Sequence, residues 1–132
     1  MSTNYEKDEE KIIIDEVAKR SQQWIASFNS GDVDACVAGY KEDAVMNAKP
    51  MGVFTGLKEI EAFWRPFIES GASDLVYKNV NLEIIDNKAV LLSADWSMNV
   101  GRGIITMERW VKQTEGVWLL ERDDFEVQEK FS

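Results

Sequence analysis

Apolar residues at Ile14, Val17, Trp24, Ile25 and Phe28, with Ser21 as a gap, recur at helical spacing and predict a helix from about residue 9 to Asn29 with one buried face. Residues 1 to 9 read as a solvated lead-in, with Asp8, Glu9 and Glu10 placed to favour a helix N-terminus. Ser30-Gly31-Asp32 punctuates the chain. Glycine takes the left-handed conformation that stops a helix, and aspartate accepts the orphan amides that start the next. That second helix runs from Asp32 to about Tyr40, with Val33, Cys36, Val37 and Tyr40 along one stripe. Ala44–Ala48 and Gly52–Phe54 read as a hairpin around Lys49-Pro50-Met51, where proline sets the bend. A third helix opens at Thr55 or Gly56 with Leu57, Ile60, Phe63, Trp64, Phe67 and Ile68 on its apolar face. Pro66 predicts a kink or an early end near Arg65.

From Asp74 onward the period changes to two. Val80, Leu82 and Ile84 alternate with polar residues, and Val90, Leu92, Ala94, Trp96 and Met98 do the same in the next segment. An odd loop centred on Asn87 pairs Ile84 with Val90, Leu82 with Leu92 and Val80 with Ala94; an even loop sets apolar against polar on nearly every rung. Ile104–Lys112 and Val117–Val127 supply two further strands around a turn at Gln113–Gly116. Helices first and antiparallel strands afterwards predict an α+β domain whose sheet curls around three N-terminal helices. At 132 residues, one domain spanning 1–132 is the expectation.

Charge narrows the partners: 24 Asp and Glu against 15 Lys and Arg give an acidic field that repels phosphate backbones and anionic lipid surfaces, so no nucleic acid and no membrane partner is expected. No apolar run is long enough to span a bilayer, and Met1–Lys11 is polar and acidic, so the default location is cytoplasmic. Cys36 is alone, which excludes an internal disulfide and agrees with a reducing compartment. With no histidine, the usual zinc and haem sites cannot be built, and neither a metal nor a cofactor is expected. Acid–base chemistry near neutral pH then falls to a carboxyl group raised by burial, or to Lys or Tyr.

The segment WIASFNSGDVDACVAGYKEDAV (Trp24–Val45), the following Gly52–Gly56, LKEIEAFW (Leu57–Trp64) and MERWVKQTEGVWLLERDDF (Met107–Phe125) resemble the SnoaL-like and ketosteroid isomerase-like families of the nuclear transport factor 2-like superfamily. The resemblance implies a cone-shaped, cystatin-like fold with an apolar pocket between curved sheet and helices, often in a homodimer. It also implies isomerase, cyclase, dehydratase or hydrolase chemistry, or no catalysis at all. A cofactor-independent enzyme acting on an apolar carbonyl or polyketide-like molecule is the first expectation, a non-catalytic binding or dimerisation module the second. Counted without gaps from the Gly-Asp turn, the ketosteroid isomerase tyrosine matches Trp24 and its general-base aspartate matches Ala48. Its second acid, kept protonated as a donor, matches Glu108. Steroid isomerisation by that mechanism is therefore not supported.

Glu108 is the leading candidate acid, set in the apolar run Ile104–Val111. A two-residue turn at Val100-Gly101 puts it on the face of Asp95, whereas an odd loop or a bulge puts it with Trp96. Asp123 and Asp124 are adjacent and so face opposite ways; one can enter the cavity, and a solvated strand end is the plainer reading of each. Asn47 offers an amide near the pocket mouth, and Tyr40 a hydroxyl. Trp24, Phe54, Phe63, Trp64, Phe67, Trp96, Met98 and Trp110 either line a cavity for a flat apolar molecule or fill the core. Arg102 and Arg109 can hold a ligand carboxylate, and surface ion pairs with Asp95 or Glu121 are the plainer reading. A homodimer is expected through the outer sheet face, since Ile105, Met107 and Val111 on one side and Ile104 and Trp110 on the other give both faces apolar residues.

Overall fold

The computed structural model describes the backbone of residues 2–131 and the side chains of 7–131. Helix α1 spans Ser2–Asn29, starting ahead of the first apolar position, and Lys7–Lys11 are exposed on it. Helix α2 is short, Val33–Ala38, and Asp32 caps it by accepting from the Ala35 amide at 3.0 Å. It ends at Ala38, two residues short of the expected end, and Trp24 closes over the following Gly39: a Cβ there would lie 2.8 Å from the indole Cδ1. The Trp24 indole N–H also donates to the Cys36 carbonyl at 3.0 Å, satisfying an acceptor at the helix end. Tyr40 consequently starts strand β1, Tyr40–Lys49, which turns at Lys49-Pro50-Met51 through a cis Lys49–Pro50 bond into β2, Gly52–Thr55.

Helix α3, Gly56–Glu69, runs through Pro66 instead of ending before it. The proline sits in the last turn, where one lost amide costs little, and Phe67 and Ile68 beyond it are held by packing. Phe67 stacks among Phe28, Phe63 and Trp64 with ring centroids 6.1–6.3 Å apart, and Ile68 is buried.

Four longer strands follow: β3 Val76–Asp86, β4 Ala89–Met98, β5 Gly101–Lys112 and β6 Trp118–Lys130. The curved, unclosed sheet has the order β2-β1-β6-β5-β4-β3. Four of its ladders are antiparallel, while β1 and β6 pair in parallel. Helices pack on one face, α1 against β3 and β6 and α3 against β1 and β2. Ile84↔Val90 and Leu82↔Leu92 pair as the odd loop requires, but Val80 and Ala94 do not, because β3 holds one extra residue between Lys78 and Asn81. Asn79, in that bulge, has φ +56°, a conformation that asparagine tolerates better than most residues.

Among the further register shifts, two on β5 and β6 shape the site. On β5 the turn Asn99-Val100 pairs Met98 with Gly101, one residue earlier than the turn expected from sequence, and Thr106 is the extra residue against both neighbours. On β6 the register slips by one residue at Glu121, between the Trp110↔Leu120 and Arg109↔Arg122 pairs. The bulge at Thr106 corrects the expected sides of β5: Ile105 and Trp110 share the inner face, while Met107 and Val111 lie outside with Ile104.

Candidate active site

Between the aromatic layer and the far end of the sheet lies a cavity of about 410 Å³. Of the residues expected from sequence, Trp24, Phe63, Trp64, Phe67, Trp96 and Met98 stand in its wall, and Asp123 does too. Tyr77, Ile105, Phe125 and Val127 complete the inside, with Met51, Lys130 and Phe131 also lining it. Among the described residues, Asp123 and Lys130 are the charged side chains of an otherwise apolar lining.

Other expected residues fall elsewhere. Tyr40, Glu108 and Trp110 are buried behind the wall, at 2%, 3% and 1% exposure. Phe54 packs on Phe63 with centroids 5.0 Å apart and does not reach the cavity. Asn47 is misplaced by the sequence reading: it pairs across the sheet with Val53 and Asp124, on the face opposite its buried neighbours Met46 and Ala48. Strand alternation puts its amide outside. Arg109 pairs with Glu121 at 3.0 Å and Arg102 with Glu129 at 2.8 Å, while Asp95 accepts from Asn79 at 2.7 Å. Cys36 is buried, and burial pushes its thiol up to about 12, so it is inert.

Two buried carboxyl groups define the chemistry. Glu108 and Asp123 are direct cross-strand partners on β5 and β6, a position that brings their Cβ atoms to roughly 5 Å. Glu108 accepts from the Tyr77 hydroxyl at 2.7 Å and from the Trp110 indole N–H at 2.9 Å. Asp123 accepts from the Tyr40 hydroxyl at 2.6 Å through Oδ2, and Tyr40 in turn accepts from the Trp64 indole N–H at 3.1 Å. Asp123 is no solvated strand end, because β6 continues to Lys130 and the residue is 4% exposed.

Burial raises both carboxyls, Glu108 to about 8 and Asp123 to about 7. The negative charge of Asp123 raises Glu108 further, and the donors Tyr77 and Trp110 pull it back. For Asp123 the Tyr40 hydroxyl lowers the value and the nearby Asp124 raises it. Repulsion between two such close groups acts on both, so the pair titrates as a unit and retains a proton near neutrality. Burial, followed by the facing carboxylates, drives the Tyr40 and Tyr77 phenols well above their ordinary range, which keeps them as hydrogen-bond donors.

Among the described residues, two buried side-chain polar atoms have no partner: Asp123 Oδ1 and Trp96 Nε1. Both residues belong to the cavity wall. The sequence reading missed Tyr77 altogether. Its available signal was Asn79, a residue type suited to the left-handed bulge that reverses the parity of β3.

The SnoaL-like domain model matches residues 21–126 of the chain. This protein belongs to the SnoaL-like domain family. Its fold is shared with a scytalone dehydratase candidate from Novosphingobium aromaticivorans, at TM-score 0.82 and 12% identity over 95% of this chain and 90% of that one. A ketosteroid isomerase-like protein from Erwinia carotovora atroseptica aligns at TM-score 0.73 and 13% identity, covering 86% of this chain and 95% of its own. An NTF-2-like protein of unknown function from Shewanella oneidensis gives TM-score 0.73 and 19% identity over 86% and 98%. No curated protein matches by sequence. At such identities the likeness establishes the cystatin-like, nuclear transport factor 2-like fold and leaves chemistry to the SnoaL-like site itself.

Proposed function

We propose that this SnoaL-like protein holds a flat apolar molecule in the cavity and moves a proton on it without a cofactor, as an isomerase, cyclase or dehydratase does. One observation carries the reading: Asp123, a lining residue of an otherwise apolar cavity, has a buried carboxyl oxygen without a partner, and its pKa is raised to about 7. A carboxylate tuned near the working pH is a suitable general base, and its conjugate acid can return the proton. Asp123 is the catalytic residue in this scheme. Glu108 acts behind it as a positioning residue, holding Tyr77 and Trp110 and adjusting Asp123 through charge. For a β,γ-unsaturated carbonyl compound, Asp123 takes the proton from the carbon between C=O and C=C, and electrons move onto the oxygen to give a dienolate. The protonated Asp123 then returns the proton at the γ-carbon as the C=O re-forms and the C=C shifts into conjugation.

Deuterium exchange tests it directly. In D2O, 2-tetralone followed by proton NMR should exchange its α-hydrogens faster with the wild-type protein than with buffer, and Asp123→Asn should reduce the increment by 10²-fold or more. Equal rates for the two proteins remove Asp123 from the chemistry.

A second reading, a non-catalytic ligand-binding module, is favoured by the two positions matched to ketosteroid isomerase. Trp24 has its N–H committed to the Cys36 carbonyl, and Ala48 is apolar and buried. Tight binding without exchange would select it. Both readings take the chain as a single cytoplasmic domain with no nucleic-acid partner, consistent with its net charge of -9; the expected lead-in over residues 1–9 gives way to helix α1, which starts at Ser2. No helix of the described residues is long and apolar enough to cross a membrane. We also place a homodimer on the outer sheet face, where Ile104, Met107 and Val111 are half-buried; sedimentation as a monomer at micromolar concentration would remove it.

A further inference from the structure

Trp96 is 7% exposed, yet its indole N–H meets no protein acceptor, in contrast to Trp24, Trp64, Trp110 and Trp118, each of which donates to a named oxygen. A buried donor without an acceptor is costly, by the desolvation of the group it fails to satisfy. The ring is not free to turn away. It stands on the inner face of β4, paired with Tyr77 of β3 on one side and Gly103 of β5 on the other. A Cβ on Gly103 would lie 2.8 Å from Trp96 Cζ2 and 2.9 Å from Cε2, the carbon bonded to Nε1. Glycine is required here first by the Glu126 carbonyl oxygen, which a Cβ would overlap, and the same missing Cβ lets the indole edge beside Nε1 lie against β5.

From this we infer that Trp96 is the specificity-determining donor of the cavity, gripping a hydrogen-bond-accepting oxygen on an otherwise flat, apolar ligand. An indole N–H can donate and cannot accept, so it selects a carbonyl-type oxygen over a bare hydrocarbon. Asp123 Oδ1, the second unpartnered atom of the same wall, then meets a different part of the ligand. The inference rests on the cavity being a ligand site and does not require turnover there. Discrimination follows from the cost of leaving the indole unpaired: a site that offers a buried donor rejects the analogue lacking the acceptor.

The test compares 1-tetralone with tetralin, which has the same ring system and no oxygen, by calorimetric or fluorescence titration. Wild-type protein should bind 1-tetralone about tenfold more tightly, the size expected of one net hydrogen bond. Trp96→Phe should retain tetralin binding within about threefold and lose the preference. Equal wild-type affinities, or a preference that survives Trp96→Phe, would overturn the assignment while leaving the pocket reading standing. Failure of both probes to bind would remove both. Should Trp96→Phe not fold, the wild-type ¹⁵N-indole spectrum decides: 1-tetralone moves the Trp96 N–H resonance downfield and tetralin does not, and a resonance unmoved by bound 1-tetralone overturns the proposal.

Discussion

Asp123 satisfies one carboxyl oxygen with the Tyr40 hydroxyl and leaves the other without a partner in a residue of the cavity wall, so a single side chain is anchored and still has an oxygen to spare. Tyr40 is the adjusting screw. Its hydrogen bond favours the ionised aspartate and lowers the pKa that burial has raised. Tyr40→Phe should therefore shift Asp123 titration, followed by carboxyl ¹³C NMR, to higher pH, and the rising limb of any pH–rate profile should follow it. The same change strips the Trp64 indole N–H of its acceptor, so a loss of about 1–3 kcal/mol in urea unfolding is expected. A titration that stays in place would show that the hydroxyl does not govern Asp123. At this scale the sequence was informative about residue type, because a chain without histidine has few other groups to use near pH 7. It was silent about Asp123 against Asp124, since neighbours in a strand differ only by face.

Facing is decided by whole strands. On β3, β5 and β6 an extra residue, between Lys78 and Asn81, at Thr106 and at Glu121, changes the parity of alternation, and each change delivers a member of the buried cluster to the inner face: Tyr77, Glu108 and Asp123. Uninterrupted alternation from Leu82, from Ile105 or from Leu120 would turn all three outward. The Ile84↔Val90 rung was legible because a short hairpin ties register to loop length; the bulges were not, because an extra residue leaves the apolar pattern on either side intact. Thr106 offers a test. Its deletion should leave Ile105 inside, Met107 outside and Glu108 inside, removing the bulge without turning the carboxyl out. The variant should fold with a cost of about 1 kcal/mol from the lost Thr106–Asp124 hydrogen bond and keep the raised Glu108 titration in carboxyl NMR. A Glu108 titrating near its ordinary 4.5 would contradict this account of the strand.

For the whole molecule, two raised carboxyls couple folding to pH. Folded Glu108 and Asp123 bind protons more tightly than the unfolded chain, whose values lie near 4.5 and 3.8, so the folded state holds more protons over the interval between. Stability from the pair is then complete below about pH 4 and is lost as pH rises through about 7 and 8. Urea unfolding should show wild-type stability falling by on the order of 5 kcal/mol from pH 5.5 to 9, with a much flatter profile in the Glu108→Gln, Asp123→Asn double variant. Equal slopes would mean that the pair is not buried as a charged unit. What the sequence determined by itself was the set of elements, the acidic surface and the aromatic stock, because periodicity and composition are local properties that any stretch of chain carries with it. Only the tertiary structure decided which side chains meet in the cavity, because that depends on register across three ladders, and a single inserted residue in each reverses every side chain beyond it.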